Sequence, residues 1–146
     1  MSFHPPYTYI DAPALAERVK AGDVSRKELA IVDVRDDDFV GGSIVGAKNV
    51  PSSSFEQRVD SLVKDLVDVP KVVFHCHLSQ QRGPKAARIY SDARKEAIAS
   101  GALPAGPNQT QQVVVLRDGA AGFVRQYKDN GHLVQDYDAE SWAYRE

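Results

Sequence analysis

The sequence predicts an α/β fold: a central, mostly parallel sheet with helices on both faces. Three observations carry this expectation. The runs Leu29–Val34, Lys71–His75 and Val113–Leu116 have the length and β-branched content of buried strands. Between them, residues such as Phe55, Val59, Leu62, Val63 and Leu66 recur at helical spacing. Strands that alternate with helices pair in parallel, because parallel neighbours need a crossover between them.

The elements follow in order. Tyr7–Ile10 is aromatic and β-branched, as an edge strand is. Asp11 then stands as a helix N-cap, with Pro13 in the first turn and Gly22 near the stop. Phe39–Pro51 carries Gly41, Gly42 and Gly46 and reads as a turn-rich connection. Ser52, Ser53 and Ser54 offer N-caps for a helix reaching about Asp68, and Pro70 ends that element. Pro84 sits in the first turn of a further helix, which stops at Gly101. The segment 101–112 is rich in Gly, Pro and Asn and reads as a surface loop. Asp118-Gly119 turns into a last helix over Ala120–Tyr127, closed by Asn130-Gly131. A tail, 133–146, has no legible structure of its own, although Tyr137 and Trp142 are apt to pack back onto the body.

A chain of 146 residues fits a single domain, with its core over about 7–127. A net charge of -2 makes no electrostatic case for nucleic acid or an anionic membrane as partner. No apolar run approaches the roughly 20 residues that span a bilayer. The segment Met1–Pro6 lacks the basic and apolar regions of a signal peptide. The chain has one cysteine, so no intramolecular disulfide can form, and a lone thiol fits the reducing cytoplasm or nucleus.

That cysteine carries the chemistry. Cys76 follows directly on the Lys71–His75 strand, and Arg82-Gly83-Pro84 opens a helix. Strand, tight loop and helix start together make an anion cradle at the carboxyl end of a strand, where ligands of parallel sheets bind. The amides of His77, Leu78, Ser79, Gln80, Gln81 and Arg82 can converge on one point. The guanidinium of Arg82 offers a planar fork to two oxygens of a tetrahedral anion. The same positive field favours a thiolate at Cys76, an activated nucleophile beneath a bound phosphoryl group. The hydroxyl of Ser79 is placed to donate to the sulfur. His75 shapes the loop from behind. No metal site is expected, because His75, Cys76 and His77 point to alternate faces and no second Cys/His cluster stands at zinc spacing. His4 and His132 read as surface residues. Asp33 and Arg35 flank a strand end and read as a charge-paired scaffold that ties down the following loop.

The residues His75 to Pro84 match every fixed position of His-Cys, two residues, Ser, two residues, Arg-Gly-Pro. In this the chain resembles the rhodanese-fold phosphatases of the M-phase inducer (cell-division-cycle) type and the related eukaryotic arsenate reductases. A second segment, Asp33-Val34-Arg35 followed by Gly41-Gly42, Ile44, Gly46-Ala47 and Asn49, looks like the rhodanese pattern, with Ser43 where the family usually has His. The resemblance covers about Tyr7 to Tyr127 and implies a rhodanese-like catalytic domain. Sulfurtransferases of this family typically have a loop one residue shorter, so the seven residues from Cys76 to Arg82 imply phosphate or arsenate chemistry. The loop lacks the acidic residues of the M-phase inducer phosphatases, which leaves any general acid unassigned.

The leading expectation is a cysteine-dependent phosphatase of the protein-tyrosine or dual-specificity type, acting on a phosphate ester or phosphoprotein through a cysteinyl-phosphate. The alternative is an arsenate reductase. With one cysteine, it would need glutathione or a glutaredoxin as external reductant. Neither reading calls for a bound cofactor. A thiosulfate sulfurtransferase or a non-catalytic rhodanese-like binding module fits less well, the first by loop length and the second because both Cys76 and Arg82 are present.

Overall fold

The computed structural model describes residues 5–103 and 110–143. Its first strand and helix are β1 (Thr8–Ile10) and α1 (Ala12–Lys20). Then come β2 (Ala30–Asp33), β3 (Ser43–Ile44), β4 (Lys48–Asn49), a single 3-10 turn at Ser52–Ser54, and α2 (Phe55–Asp65). The second half holds β5 (Lys71–His75), α3 (Arg82–Ala99), β6 (Gln112–Leu116), α4 (Gly119–Tyr127), β7 (Val134–Gln135) and α5 (Ala139–Trp142).

The main sheet has the order β1-β6-β5-β2-β4, and every pairing in it is parallel. All five strands therefore end on the same edge. β5 lies at the centre, between β2 and β6, with Asp33 opposite His75 and Val115 opposite Phe74. The loops that follow these three strands are consequently neighbours, and the Cys76 loop is the middle one.

Alternation along the strands splits the core in two. Val32, Val72, Phe74, Val113 and Val115 face Phe55, Val59, Leu62 and Val63 of α2 and Ala86, Ala87 and Tyr90 of α3. Ile31, Val73, Val114 and Leu116 face Leu15 and Ala16 of α1 and Ala120 and Phe123 of α4. Phe74 anchors the first layer, its ring 6.0 Å from that of Phe55 and 5.2 Å from that of Tyr90. Helices thus cover both faces of the sheet, as the pattern of apolar runs predicts.

Several local expectations are revised. Ser54 makes no side-chain cap on α2. Instead, the Ser52 hydroxyl and the Ser53 N–H both donate to the carboxylate of Asp36. Asp11 does not cap α1 through its side chain, which accepts from Arg117 at 3.1 Å. The connection 39–51 contains two short strands. β4 adds to the sheet edge beside β2, and β3 pairs antiparallel with β7. The predicted loop 101–112 falls largely on residues 104–109, which like His4 lie outside the described residues.

The tail is a strap. β7 holds it against Ser43, the position where the rhodanese pattern usually has His, and Gln135 Nε2–H donates to Ser43 Oγ at 3.0 Å. Beyond it, the Trp142 indole is 5% exposed and donates to the Gly41 carbonyl at 2.8 Å. Gly41 has φ +84°, and a Cβ there would lie 2.8 Å from Trp142 Nε1, so only glycine lets the indole seat. Trp142→Ala should destabilise the chain by about 3 kcal/mol, chiefly from lost burial, since the Gly41 carbonyl keeps the Asp138 N–H as a donor at 2.9 Å. Urea unfolding checks this: a midpoint within error of wild type would show that the strap does not hold.

Candidate active site

The Cys76 loop is shaped by its two neighbours on the sheet edge. On one side, α4 begins at Gly119, and its first free amides bond the loop: Ala120 N–H donates to the Cys76 carbonyl and Ala121 N–H to the His77 carbonyl, both at 2.9 Å. In a planar trans peptide the N–H points opposite to the C=O. Drawing those two carbonyls into α4 therefore turns the N–H groups of His77 and Leu78 the other way, away from α4. The approach is close. Gly119 has φ +58°, and a Cβ there would lie 2.5 Å from the His77 oxygen and 2.6 Å from the Cys76 oxygen.

Cys76 is 3% exposed. Its Sγ accepts from Ser79 N–H at 3.2 Å and from Gly83 N–H, in the first turn of α3, at 3.4 Å. Two backbone donors and a helix start around one sulfur stabilise negative charge on it. The Ser79 hydroxyl is not on the sulfur, contrary to expectation. It accepts from Cys76 N–H at 3.4 Å, while the Ser79 backbone, at φ +57°, delivers its amide instead. Leu78, Gln80 and Gln81 are exposed on the loop, and the His77 ring stacks on Trp142 with centroids 5.7 Å apart.

Beneath the loop, Asp33, Arg35 and His75 are fully buried. Arg35 donates to Asp33 through Nε (3.0 Å) and Nη2 (2.7 Å), and through Nη2 to the Gly42 carbonyl (3.0 Å). Its guanidinium also lies 4.9 Å from the Phe39 ring centroid and 5.9 Å from that of Trp142. The pair reaches the strap as well as the following loop. His75 Nδ1 sits 3.1 Å from the Cys76 carbonyl, so Nδ1 carries the proton and donates it. Burial pushes the His75 pKa below its ordinary value, against the pull of Asp33, and holds the ring neutral.

The loop after β2 brings in two residues that the sequence reading did not single out. Arg82 Nη1 and Nη2 donate to the two oxygens of Asp38 at 2.9 and 2.6 Å, and Nη1 also reaches Asp36 at 3.2 Å. The hydrogen-bonded Arg82 cation holds the Asp38 carboxyl down at about 2, against partial burial. Asp36 is lowered too: burial opposes this, but hydrogen bonds from Ser52, Ser53 and Arg82 outweigh it. Hydrogen bonding to Asp38 in turn raises Arg82, and the hydrogen bond to Asp36 adds to the effect. The available signal was the acidic run Asp36-Asp37-Asp38 directly after Asp33-Val34-Arg35. It stands at the end of the strand that neighbours the one bearing the nucleophile.

A thiol at the end of a parallel strand, with two backbone amides on its sulfur and an arginine closing its loop, marks a cysteine-dependent enzyme. Residues 11–126 match the family model of the rhodanese-like domain. The dual specificity phosphatase ibp1 of Schizosaccharomyces pombe is 34% identical over 118 residues, covering 76% of this chain and 86% of that protein. Among solved structures, a yeast protein tyrosine phosphatase of the rhodanese family superposes with a TM-score of 0.76 at 26% identity, over 97% of this chain and 99% of that one. The As-Sb reductase of Leishmania major does so with 0.69 at 35% identity, over 85% of this chain and 81% of that one. The chain belongs to the rhodanese family and is related within it to both Cdc25-type phosphatases and eukaryotic arsenate reductases.

Two outcomes test the site's construction. Gly119→Ala should cost at least about 1 kcal/mol for the left-handed backbone alone, and the clash with two loop carbonyls should also abolish the rise in melting temperature expected of the wild type on adding phosphate. An unchanged phosphate response would separate α4 from the cradle. For His75, the unfolded chain takes up a proton below its ordinary pKa of 6.5 that the folded chain refuses. Stability therefore falls as pH drops below that value, by up to about 1.4 kcal/mol per pH unit for this one group. Urea unfolding between pH 7 and 5 should show a shallower dependence in His75→Asn; an identical slope would place the titration elsewhere.

Proposed function

We propose that this cysteine-dependent phosphatase hydrolyses phosphate monoesters, with phosphoprotein side chains as its substrate class, through a cysteinyl-phosphate at Cys76. The observation that carries the reading is the double backbone donation to Sγ at the mouth of a seven-residue loop. It stabilises a thiolate where the loop amides converge on a tetrahedral anion. The thiolate attacks phosphorus, the P–O ester bond breaks, and the leaving oxygen departs with the bond's electron pair. Amides of the 77–82 segment and the Arg82 guanidinium hold the equatorial oxygens as charge builds on them. Water then attacks the S–P bond's phosphorus, releasing phosphate and the Cys76 thiolate.

Among the described residues, no neutral carboxylic acid meets Arg82 at neutral pH, since Asp38 is held down at about 2 and Asp36 is also lowered. The leaving oxygen therefore takes its proton from water, and esters of acidic phenols should react faster than alkyl esters. A second reading, arsenate reduction, is favoured by the likeness to the Leishmania major As-Sb reductase. Here the thiolate would attack arsenate with loss of water. Two thiols from glutathione or a glutaredoxin would then supply the two electrons, because the chain has no second cysteine.

Aryl phosphate, thiosulfate with cyanide, and arsenate with glutathione and glutaredoxin should be assayed side by side. The expected result is aryl phosphate cleavage, inhibited competitively by arsenate or vanadate, with little sulfur transfer. Arsenite formation without any phosphate-ester cleavage would establish the reductase in its place. Cys76→Ser should abolish turnover and keep the fold. Arg82→Lys should lose on the order of a hundredfold in kcat/KM, because a point charge does not replace a planar fork. Substantial activity in either variant would remove that residue from the chemistry.

A further inference from the structure

The guanidinium of Arg82 has two usable edges. One runs across Nη1 and Nη2, the other across Nε and Nη2. The Asp38 carboxylate occupies the first, oxygen to nitrogen, at 2.9 and 2.6 Å, and Asp36 touches Nη1 at 3.2 Å. None of these three bonds uses Nε. We propose that Asp38 is the positioning residue of Arg82: its carboxylate grips the Nη1–Nη2 edge and presents the Nε–Nη2 edge to the oxyanion above Cys76.

Three features make Asp38 a fixed support. Its Oδ1 also accepts the Asp36 N–H at 2.9 Å, which locks the side chain into its own turn. That turn is pinned by Phe39 N–H to the Asp36 carbonyl at 3.0 Å and by the Ser52 and Ser53 donors on the Asp36 carboxylate. It grows directly from the buried Asp33–Arg35 pair at the end of β2. An arginine held on one edge keeps its other edge pre-aligned, so less side-chain freedom is lost when a tetrahedral anion binds. The opposite reading is that the carboxylate competes with the oxyanion for the same fork. That would require Arg82 to break two short bonds and swing away before each turnover, although the anion needs only two N–H groups and a second edge supplies them.

The inference rests on the phosphatase reading, in that it takes an oxyanion to bind over Cys76. The experiment measures how well inorganic phosphate, arsenate or vanadate protects Cys76 from alkylation by iodoacetamide. It uses the full chain as wild type, Asp38→Asn, Asp38→Glu, Arg82→Ala and the Asp38→Asn/Arg82→Ala double variant, with thermal melting to confirm folding. Asp38→Asn is expected to weaken protection by on the order of tenfold, to leave the unprotected alkylation rate within about twofold, and to have no further effect once Arg82 is alanine. Asp38→Glu, which restores the carboxylate, should recover part of the loss. Tighter protection in Asp38→Asn would show that the carboxylate competes with the anion, and an equal loss in the Arg82→Ala background would show that Asp38 acts elsewhere. Either result overturns the proposal. Absence of protection in the wild type would instead overturn oxyanion binding at Cys76, so the two failures are distinct.

Discussion

Two backbone hydrogen bonds, from Ala120 and Ala121 to the carbonyls of Cys76 and His77, decide which way the peptide groups of the catalytic loop face. A loop of this size has no internal reason to aim its N–H groups inward, because its carbonyls must also find donors. The start of α4 supplies those donors and meets its own need for acceptors in the same contact. Gly119 makes the approach possible, for any side chain there would press on both carbonyls. The seating of α4 against Val114 and Leu116, through Ala120 and Phe123, is thus transmitted to the Cys76 loop by two bonds.

The charges around the loop are arranged at two depths. Asp33, Arg35 and His75 form a buried layer beneath it, with Arg35 shared between a carboxylate, the Gly42 carbonyl and two aromatic rings. Buried pairs of this kind add little net stability, but removal of one partner costs several kcal/mol and leaves a charge stranded. Their value lies in fixing where the β2 loop leaves the sheet. Above them, the partly exposed Asp36 and Asp38 meet Arg82. Because that loop departs in a fixed direction, the buried layer determines how the partly exposed acids meet the Arg82 guanidinium.

Much of the plan was legible in the sequence. The parallel sheet follows from runs whose β-branched residues are apolar on both faces, and the Lys71–His75 strand has the bounds its composition suggests. The nucleophile and the arginine stand out because a strand, a short loop and Gly83-Pro84 leave little else for the segment to form. Three things were not legible. The strands β3, β4 and β7 are two residues each, too short for periodicity to register, and exist only through tertiary pairing. The Ser52–Ser54 run looked like a capping signal, yet Asp36 captured its donors, which depends on distance in space. Asp36 and Asp38 were overlooked because acidic residues in a loop ordinarily face solvent. Only the adjacency of β2 and β5, with Asp33 opposite His75, brings them to Arg82.

The central claim is that Cys76 takes the phosphoryl group onto its sulfur. The most direct measurement is a rapid acid quench of an aryl phosphate reaction in the first turnover, followed by mass spectrometry of the intact chain and of the peptide bearing Cys76. The account predicts a phosphoryl adduct on the Cys76 sulfur that appears with the phenol burst and decays as phosphate is released. Phenol release in the first turnover with an unmodified Cys76 at every quench time would contradict it.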